Sequence, residues 1–281
     1  MTNAVDVSAL EPWLGRTEES EDRVTPHVVR GLRAVFDDDT PVAEGDPLPN
    51  AWHWLFNHAA APQSQLGPDG HPRRGGFLPP IELPRRMWAG SDVSFEAPIR
   101  VGDRIRRRST IASITPKSGS TGTLVFVVVR HDITSDSGGR VVDLQRIVYR
   151  EAAAPGAAQP RGEAPAAAPE FSMRMDPDPV MLFRFSALTF NGHRIHYDHP
   201  YATQVEGYRG LVVHGPLLAL AMLENLRRHR PGAAVRQFAF TPRRPVTTPG
   251  VITACGRRDG DAWDLWVESE GAAASVARAA G

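Results

Sequence analysis

The sequence predicts an α+β protein made of two curved antiparallel sheets, each curled around a helix. Three observations carry this expectation. An Ala/Pro-rich stretch at residues 152–169 divides the chain, each part runs helix first and strands afterwards, and the later part holds PLLALAMLENL. That run is apolar almost all round, as a helix is when a sheet encloses it. Thirteen of the eighteen residues of the dividing stretch are Ala or Pro. Proline removes a backbone donor and fixes φ, and alanine offers little to bury, so the stretch reads as a semi-stiff surface linker. It leaves one domain at residues 1–151 and a second at 170–281.

In the first part, residues 25–36 and 51–58 have helix-like apolar spacing through Val28, Val29, Leu32 and Val35, then Trp52, Leu55 and Phe56. A loop rich in Pro and Gly follows from Pro62 to Pro80 and excludes regular structure. Strands are expected at 87–97, 104–114, 122–132 and 141–151, with turn chemistry at Gly102-Asp103 and Ser137-Gly138-Gly139. The run LVFVVV at 124–129 is too continuously apolar for a half-exposed strand and belongs in the interior of its sheet.

The second part opens with a short helix at 179–189, capped by Asp176 or Asp178. The long apolar helix starts at Pro216, where a first-turn proline is tolerated, and Arg227, Arg228 and Arg230 fall at the negative end of its dipole. Strands at 235–242, 251–256, 262–268 and 272–279 close the chain. The two parts read as a pseudo-duplicate with little residue-level similarity.

Composition narrows the function class. The 281 residues carry 32 Lys+Arg against 32 Asp+Glu, a net charge of zero, which argues against a nucleic-acid binder held by a broad phosphate field. The single cysteine, Cys255, excludes a disulfide framework and a Cys-rich zinc site. No apolar run approaches the ~18 residues of a membrane span, and no secretory leader is visible, so a cytoplasmic protein is expected.

The densest polar cluster lies in FSALTFNGHRIHYDHPYA, residues 185–202, which holds Asn191, His193, His196, Asp198 and His199. Histidine is the usual acid–base group near neutrality. Taken singly, loop histidines are more often solvated or bonded to local carbonyls. Ligation of a metal by His193, His196 and Asp198 is a second reading, disfavoured by the spacing and by the lack of further acidic or Cys ligands. Ser186 has no adjacent base of the G-x-S-x-G kind, which disfavours a serine hydrolase. The glycine-rich loop at 67–76 lacks the G-K-[ST] ending of a phosphate-cradling loop.

The same string resembles the active-site segment of the MaoC-like, or hydratase-2, enzymes. VVHGPLLALAMLE at 212–224 resembles the start of their central helix, and PQSQLGPDGHPRRGGFLPP with PRRMWAGSDVSFEAPIRVGDRI resembles the FAS1-like dehydratase half of one subgroup. That subgroup includes mesaconyl-C4-CoA hydratases and the mitochondrial hydroxyacyl-thioester dehydratase type. The resemblance implies a double hot-dog fold, hydration or dehydration of an acyl-CoA thioester, no metal or redox cofactor, and a homodimer. It also implies a short branched dicarboxylyl-CoA, such as mesaconyl-C4-CoA or itaconyl-CoA, as substrate.

By match to the family pattern D-x-N-P-x-H, His196 is an acid–base residue and the backbone N–H of Gly215, at a helix N-terminus, is the oxyanion donor. The family's Asp is Asn191 here, its Asn is His193 and its Pro is Arg194. An amide cannot take a proton from water. Either His193 therefore takes the second acid–base role with Asn191 orienting the water, or Asp198 or another carboxylate enters from nearby. Tyr197 and His214 are placed at the substrate, although His214 equally shapes the turn before Gly215. Phe185, Leu188, Phe190 and Tyr201 are core or acyl-pocket wall. Candidates for the CoA phosphates are Arg73-Arg74, Arg85-Arg86, Arg106 to Arg108 and, first among them, Arg243-Arg244. Dehydration of longer 3-hydroxyacyl thioesters, a hot-dog thioesterase and an inactive acyl-CoA binder remain as alternatives.

Overall fold

The computed structural model describes residues 8–119, 122–151 and 162–281. Most of the expected linker, 152–161, lies outside the described residues. Residues 162–169 form no helix or strand and are largely exposed, and Glu163 O accepts from Ala273 N at 2.9 Å.

The strands of the first part are β1 (Thr17–Arg23), β2 (Arg85–Ala97), β3 (Arg104–Gly119), β4 (Gly122–Ser135) and β5 (Arg140–Arg150). Those of the second are β6 (Phe171–Met175), β7 (Leu211–Val212), β8 (Gln237–Pro242), β9 (Thr247–Thr248), β10 (Ile252–Asp259), β11 (Ala262–Ser269) and β12 (Ala272–Ala280). Ten of them form one antiparallel sheet in the order β1-β3-β4-β5-β2-β8-β12-β11-β10-β6, and β7 pairs separately with β9. The two parts meet where Val93 pairs with Phe238 and Ser91 with Phe240, so a single sheet runs through both.

Strand β1, TEESEDR, has no apolar alternation and was not expected from the sequence. It forms because its acids meet the basic run of β3: Glu21 lies opposite Arg106 and Glu19 opposite Arg108. Opposite charges on facing strands favour the pairing, and a short charged edge strand resists further addition. In β4 the apolar run sits inside the sheet as expected. Val125, Val127 and Val129 are buried, while Leu124, Phe126 and Val128 are half-exposed on the other face.

The helices are α1 (Pro26–Val35), α2 (Pro179–Leu188) and α3 (Gly215–His229). Every residue from Leu217 to Leu226 in α3 is buried, and the helix packs on β6, β10, β11 and β12. It carries two buried polar residues, and Asn225 Oδ1 is left without a hydrogen-bond partner among the described residues. Glu224 accepts from Arg227 and Arg228, and Asn225 Nδ2 donates to Ala254 O at 2.9 Å. Helix α1 is a weaker counterpart. It buries Val29, Leu32 and Val35 and lies against α2 instead of running enclosed by its own strands. The helix expected at 51–58 is only one 3₁₀ turn, Trp52–Leu55. Ala51 and Asn57 take left-handed φ of 66° and 58°, and residues 51–53 and 55–57 are buried, so the apolar spacing reports insertion into the core, not a helical face. Among the described residues no helix is long and apolar enough to cross a membrane.

Candidate active site

The polar cluster follows α2. Asp178 caps this helix, accepting from Met181 N at 2.7 Å. Its last turn closes when Asn191 N donates to Ser186 O at 2.9 Å. The Asn191 side chain then folds the next turn, with Oδ1 accepting from His193 N at 3.0 Å. A 3₁₀ turn, Arg194–His196, carries the second histidine inward, where it is buried.

His196 Nδ1 lies 2.6 Å from Val212 O. A carbonyl only accepts, so Nδ1 carries the proton and the lone pair is on Nε2. Burial, and then the neighbouring His193, push the His196 imidazole down to about 3. It is therefore a neutral ring with one free basic nitrogen. His214 stacks on it, with ring centroids 3.6 Å apart and planes 17° from parallel. On its other side His214 Nε2 lies 2.9 Å from Ser186 Oγ, and burial holds it well below the usual range too.

The residue after His214 is Gly215, the first of α3. The first N–H groups of a helix have no intrahelical acceptor and sit at the positive end of its dipole. A Cβ at Gly215 would meet nothing nearer than Pro242 Cγ at 4.0 Å, so the space where a side chain would stand is open. The His196 ring and the N-terminus of α3 are thus linked through the stacked ring of His214, the residue that precedes the helix.

The first part contributes a loop that the sequence reading did not place here. Residues 66–72 close on themselves through Gly67 N to His71 O at 2.7 Å and an isolated bridge between Leu66 and Pro72. They dock onto the 191–197 turn. Arg194 N donates to Asp69 O at 2.9 Å and Arg194 Nη1 to Pro68 O at 3.0 Å. Gly70 has φ of +88°, and a Cβ there would run into the Gly192 carbonyl. Only glycine fits that approach.

This docking sets His71 against His193, ring centroids 4.1 Å apart, while His193 meets His196 edge-on at 5.5 Å and 88°. Asp69 Oδ2 lies 3.0 Å from His71 Nδ1, and Asp69 Oδ1 accepts from His71 N at 3.0 Å. Against the upward push of burial, the hydrogen bonds and charge of His71 hold the Asp69 carboxyl well below the usual carboxylate range. Burial, then the His71 charge, push His193 down to about 3. A carboxylate does enter the cluster, from the first part of the chain, and it reaches His193 through His71. The signal for it was present in PDGHP: Asp and His two apart in a Gly/Pro loop form a local hydrogen-bonded turn, but nothing local says which surface that turn meets.

The other expected residues fall as follows. Asn191 Oδ1 is held by His193 N, so its local part is to shape the turn, and it does not aim that oxygen at a water. Asp198 accepts from Arg194 Nε at 2.9 Å and Nη2 at 2.7 Å, and from Tyr201 N at 3.1 Å, so it is not the missing base. Tyr197 is half-exposed, its hydroxyl donating to Gly192 O at 3.1 Å. His214 is buried, stacked on His196. Arg244 is turned inward to Ser269 O and Glu270, whereas Arg243 is exposed. Of the metal reading, Nδ1 of His196 and the Asp198 carboxylate are thus both engaged. Among the described residues the ligand atoms that converge within 4.8 Å are those of Asp69, His71 and His193.

The hydroxyacyl-thioester dehydratase type 2 family model matches residues 51–248. The chain is 44% identical to mesaconyl-C4-CoA hydratase of Chloroflexus aurantiacus over 90% of each chain. Among solved structures, HtdX of Mycobacterium tuberculosis superposes with a TM-score of 0.66 at 18% identity, over 95% of this chain and 100% of that one. Another M. tuberculosis protein, described as having a double hot-dog fold, matches at a TM-score of 0.55 and 14% identity over 95% of each chain. These likenesses show the double hot-dog fold.

Proposed function

The chain belongs to the hydroxyacyl-thioester dehydratase type 2 family, and on that premise we propose that it adds water to the double bond of a short branched dicarboxylyl-CoA of the mesaconyl-C4-CoA kind. The observation that carries the catalytic part is the stacking of His196 on His214, which brings the free Nε2 of His196 beside the N-terminus of α3.

In this reading the enoyl thioester lies with its carbonyl oxygen on the Gly215 N–H. His196 Nε2 takes a proton from a water whose oxygen bonds to the β-carbon. The π electrons move onto the α-carbon and thioester oxygen, where the N–H and the dipole of α3 stabilise the growing charge without reorganising. The α-carbon then takes a proton passed along the chain of His71 and His193, with Asp69 accepting a hydrogen bond from His71 behind it. Solvent exchange resets His196 and His71, and the reverse sequence dehydrates. The second domain, residues 170–281, supplies His196, His193 and Gly215, and the first, residues 1–151, supplies Asp69 and His71. Asn191 positions His193, and Arg194 takes the place of the family's proline as the clamp between the two loops. Exposed Arg243 supports a contact with CoA phosphate.

A panel of enoyl-CoAs tests this, followed by enoyl-thioester absorbance and by thiol detection. Mesaconyl-C4-CoA is expected to lose absorbance without releasing thiol. Thiol release would mark a thioesterase, and binding without either signal an inactive acyl-CoA binder. Either result overturns the reading.

A further inference from the structure

We propose that Arg86, with Tyr149 beside it, is a subsite for the free carboxylate of a dicarboxylyl thioester, an inference that rests on the hydratase reading above for the identity of its ligand. The two arginines that open β2 are treated differently by the fold. Arg85 pairs with Glu206 at 3.3 Å, donates to Glu206 O at 2.6 Å and lies over the Tyr208 ring. Among the described residues Arg86 has no carboxylate within 4 Å, and its only side-chain hydrogen bond is a long one of 3.5 Å, from Nη2 to Pro72 O. Pro72 follows His71, so the guanidinium stands at the edge of the histidine cluster, where its charge helps to depress His193.

Tyr149 is the cross-strand partner of Arg86. It is fully buried, and the neighbouring group that works against the upward push of burial on its hydroxyl is Arg86. Arg74 lies over the same ring at 5.8 Å, anchored to Ile81 O at 2.6 Å and Pro84 O at 2.7 Å, again with no carboxylate within 4 Å among the described residues. Burial, then the like charge of Arg86, lower the Arg74 guanidinium. Two guanidiniums without a carboxylate partner among the described residues therefore flank one phenol ring at the edge of the histidine cluster, and an anion would pair with them.

The chemistry of the ligand agrees. In mesaconyl-C4-CoA the free carboxylate is attached to the β-carbon, the atom that His196 and its water address. A substrate seated on the histidines must place that carboxylate within a few ångströms of them. A cation is needed there, and a neutral acyl-CoA gives it nothing to hold.

The test uses the full chain and two unreactive thioesters, succinyl-CoA and butyryl-CoA, titrated by calorimetry. The wild type is expected to bind succinyl-CoA at least about tenfold more tightly, the scale of one charge-assisted contact. Arg86→Met should reduce that preference to within about twofold and leave butyryl-CoA affinity unchanged, while Arg86→Lys keeps much of it. Tyr149→Phe, which preserves shape, should lower only succinyl-CoA affinity, by about threefold to tenfold. Absence of the preference in the wild type, its survival in Arg86→Met, or equal losses on both ligands would overturn the subsite. A wild type that shows the preference and yet hydrates no enoyl-CoA would remove the hydratase reading and leave the subsite standing.

Discussion

The imidazole of His71 lies 4.1 Å from that of His193, tilted by 41°, across the docked loops of the two parts of the chain. With Asp69 behind it, this contact brings a carboxylate from the first part of the chain into the cluster, the role proposed for it being that of the carboxylate that position 191 lacks. Its consequences are open to direct measurement.

His196→Ala should lower kcat by ~10²–10⁴, the usual worth of a general base, with CoA affinity and fold retained. His71→Ala should lower kcat by ~10². If His71 acts through His193, the double variant His71→Ala/His193→Ala should be hardly worse than the poorer single one; additive losses in steady-state kinetics would separate the two residues.

Both His193 and His196 are held at about 3. Both rings thus stay neutral far below pH 6.5 in the free protein, and kcat/KM should show no acid break near 6.5 from the base His196. For stability the sign is the reverse of a charge-paired histidine. The unfolded chain binds these protons near pH 6.5 and the folded chain does not, so the contribution is complete above 6.5 and is lost as pH falls toward 3. Denaturant titrations at pH 7 and pH 5 should differ by about 2 kcal/mol for each of the two histidines.

Gly70→Ala adds a methyl group where the Gly192 carbonyl stands and penalises a φ of +88°. The loop at 66–72 must then lift away, taking Asp69 and His71 with it. We expect a fall in kcat of ~10², like that of His71→Ala, with little change in the affinity for butyryl-CoA.

Asp143 is buried in the first part, accepting from Trp54 Nε1 at 2.7 Å with His53 Nε2 at 3.5 Å. Asp143→Ala strands those donors and should cost about 3–5 kcal/mol in chemical denaturation. Activity per folded molecule should be unchanged, because the network holds no group of the site.

Asp69, His71 and His193 are close enough to ligate a cation, but Asp69 is occupied by the His71 side chain and backbone. Dialysis against EDTA should leave turnover unchanged. Loss of activity restored by a divalent ion would replace the proton relay with a metal site.

The sequence by itself determined the elements whose signal is local. The valine run of β4 and the all-round apolar face of α3 carry their own burial. The turn that presents His196 is written in the hydrogen-bonding habits of Asn191 and the caps around it, and the likeness to a known active-site segment singled out that histidine and Gly215 as candidates. Strand β1 was illegible because nothing in TEESEDR is apolar, and its stability comes from the arginines of β3, distant in sequence. The 3₁₀ turn at Trp52 was misread as a longer helix because burial on all sides imitates a helical face.

The tertiary structure alone decided what stands where the family's carboxylate would be. A contact between His71 and His193 leaves no periodicity, since each residue's neighbours are chosen by its own loop and not by the other. The same holds for Arg85 and Arg86: adjacent and identical in sequence, they differ only in that the fold brings Glu206 to the first and no acid to the second. Local chemistry fixes what a segment is able to form, and long-range packing fixes which charges are left without a partner.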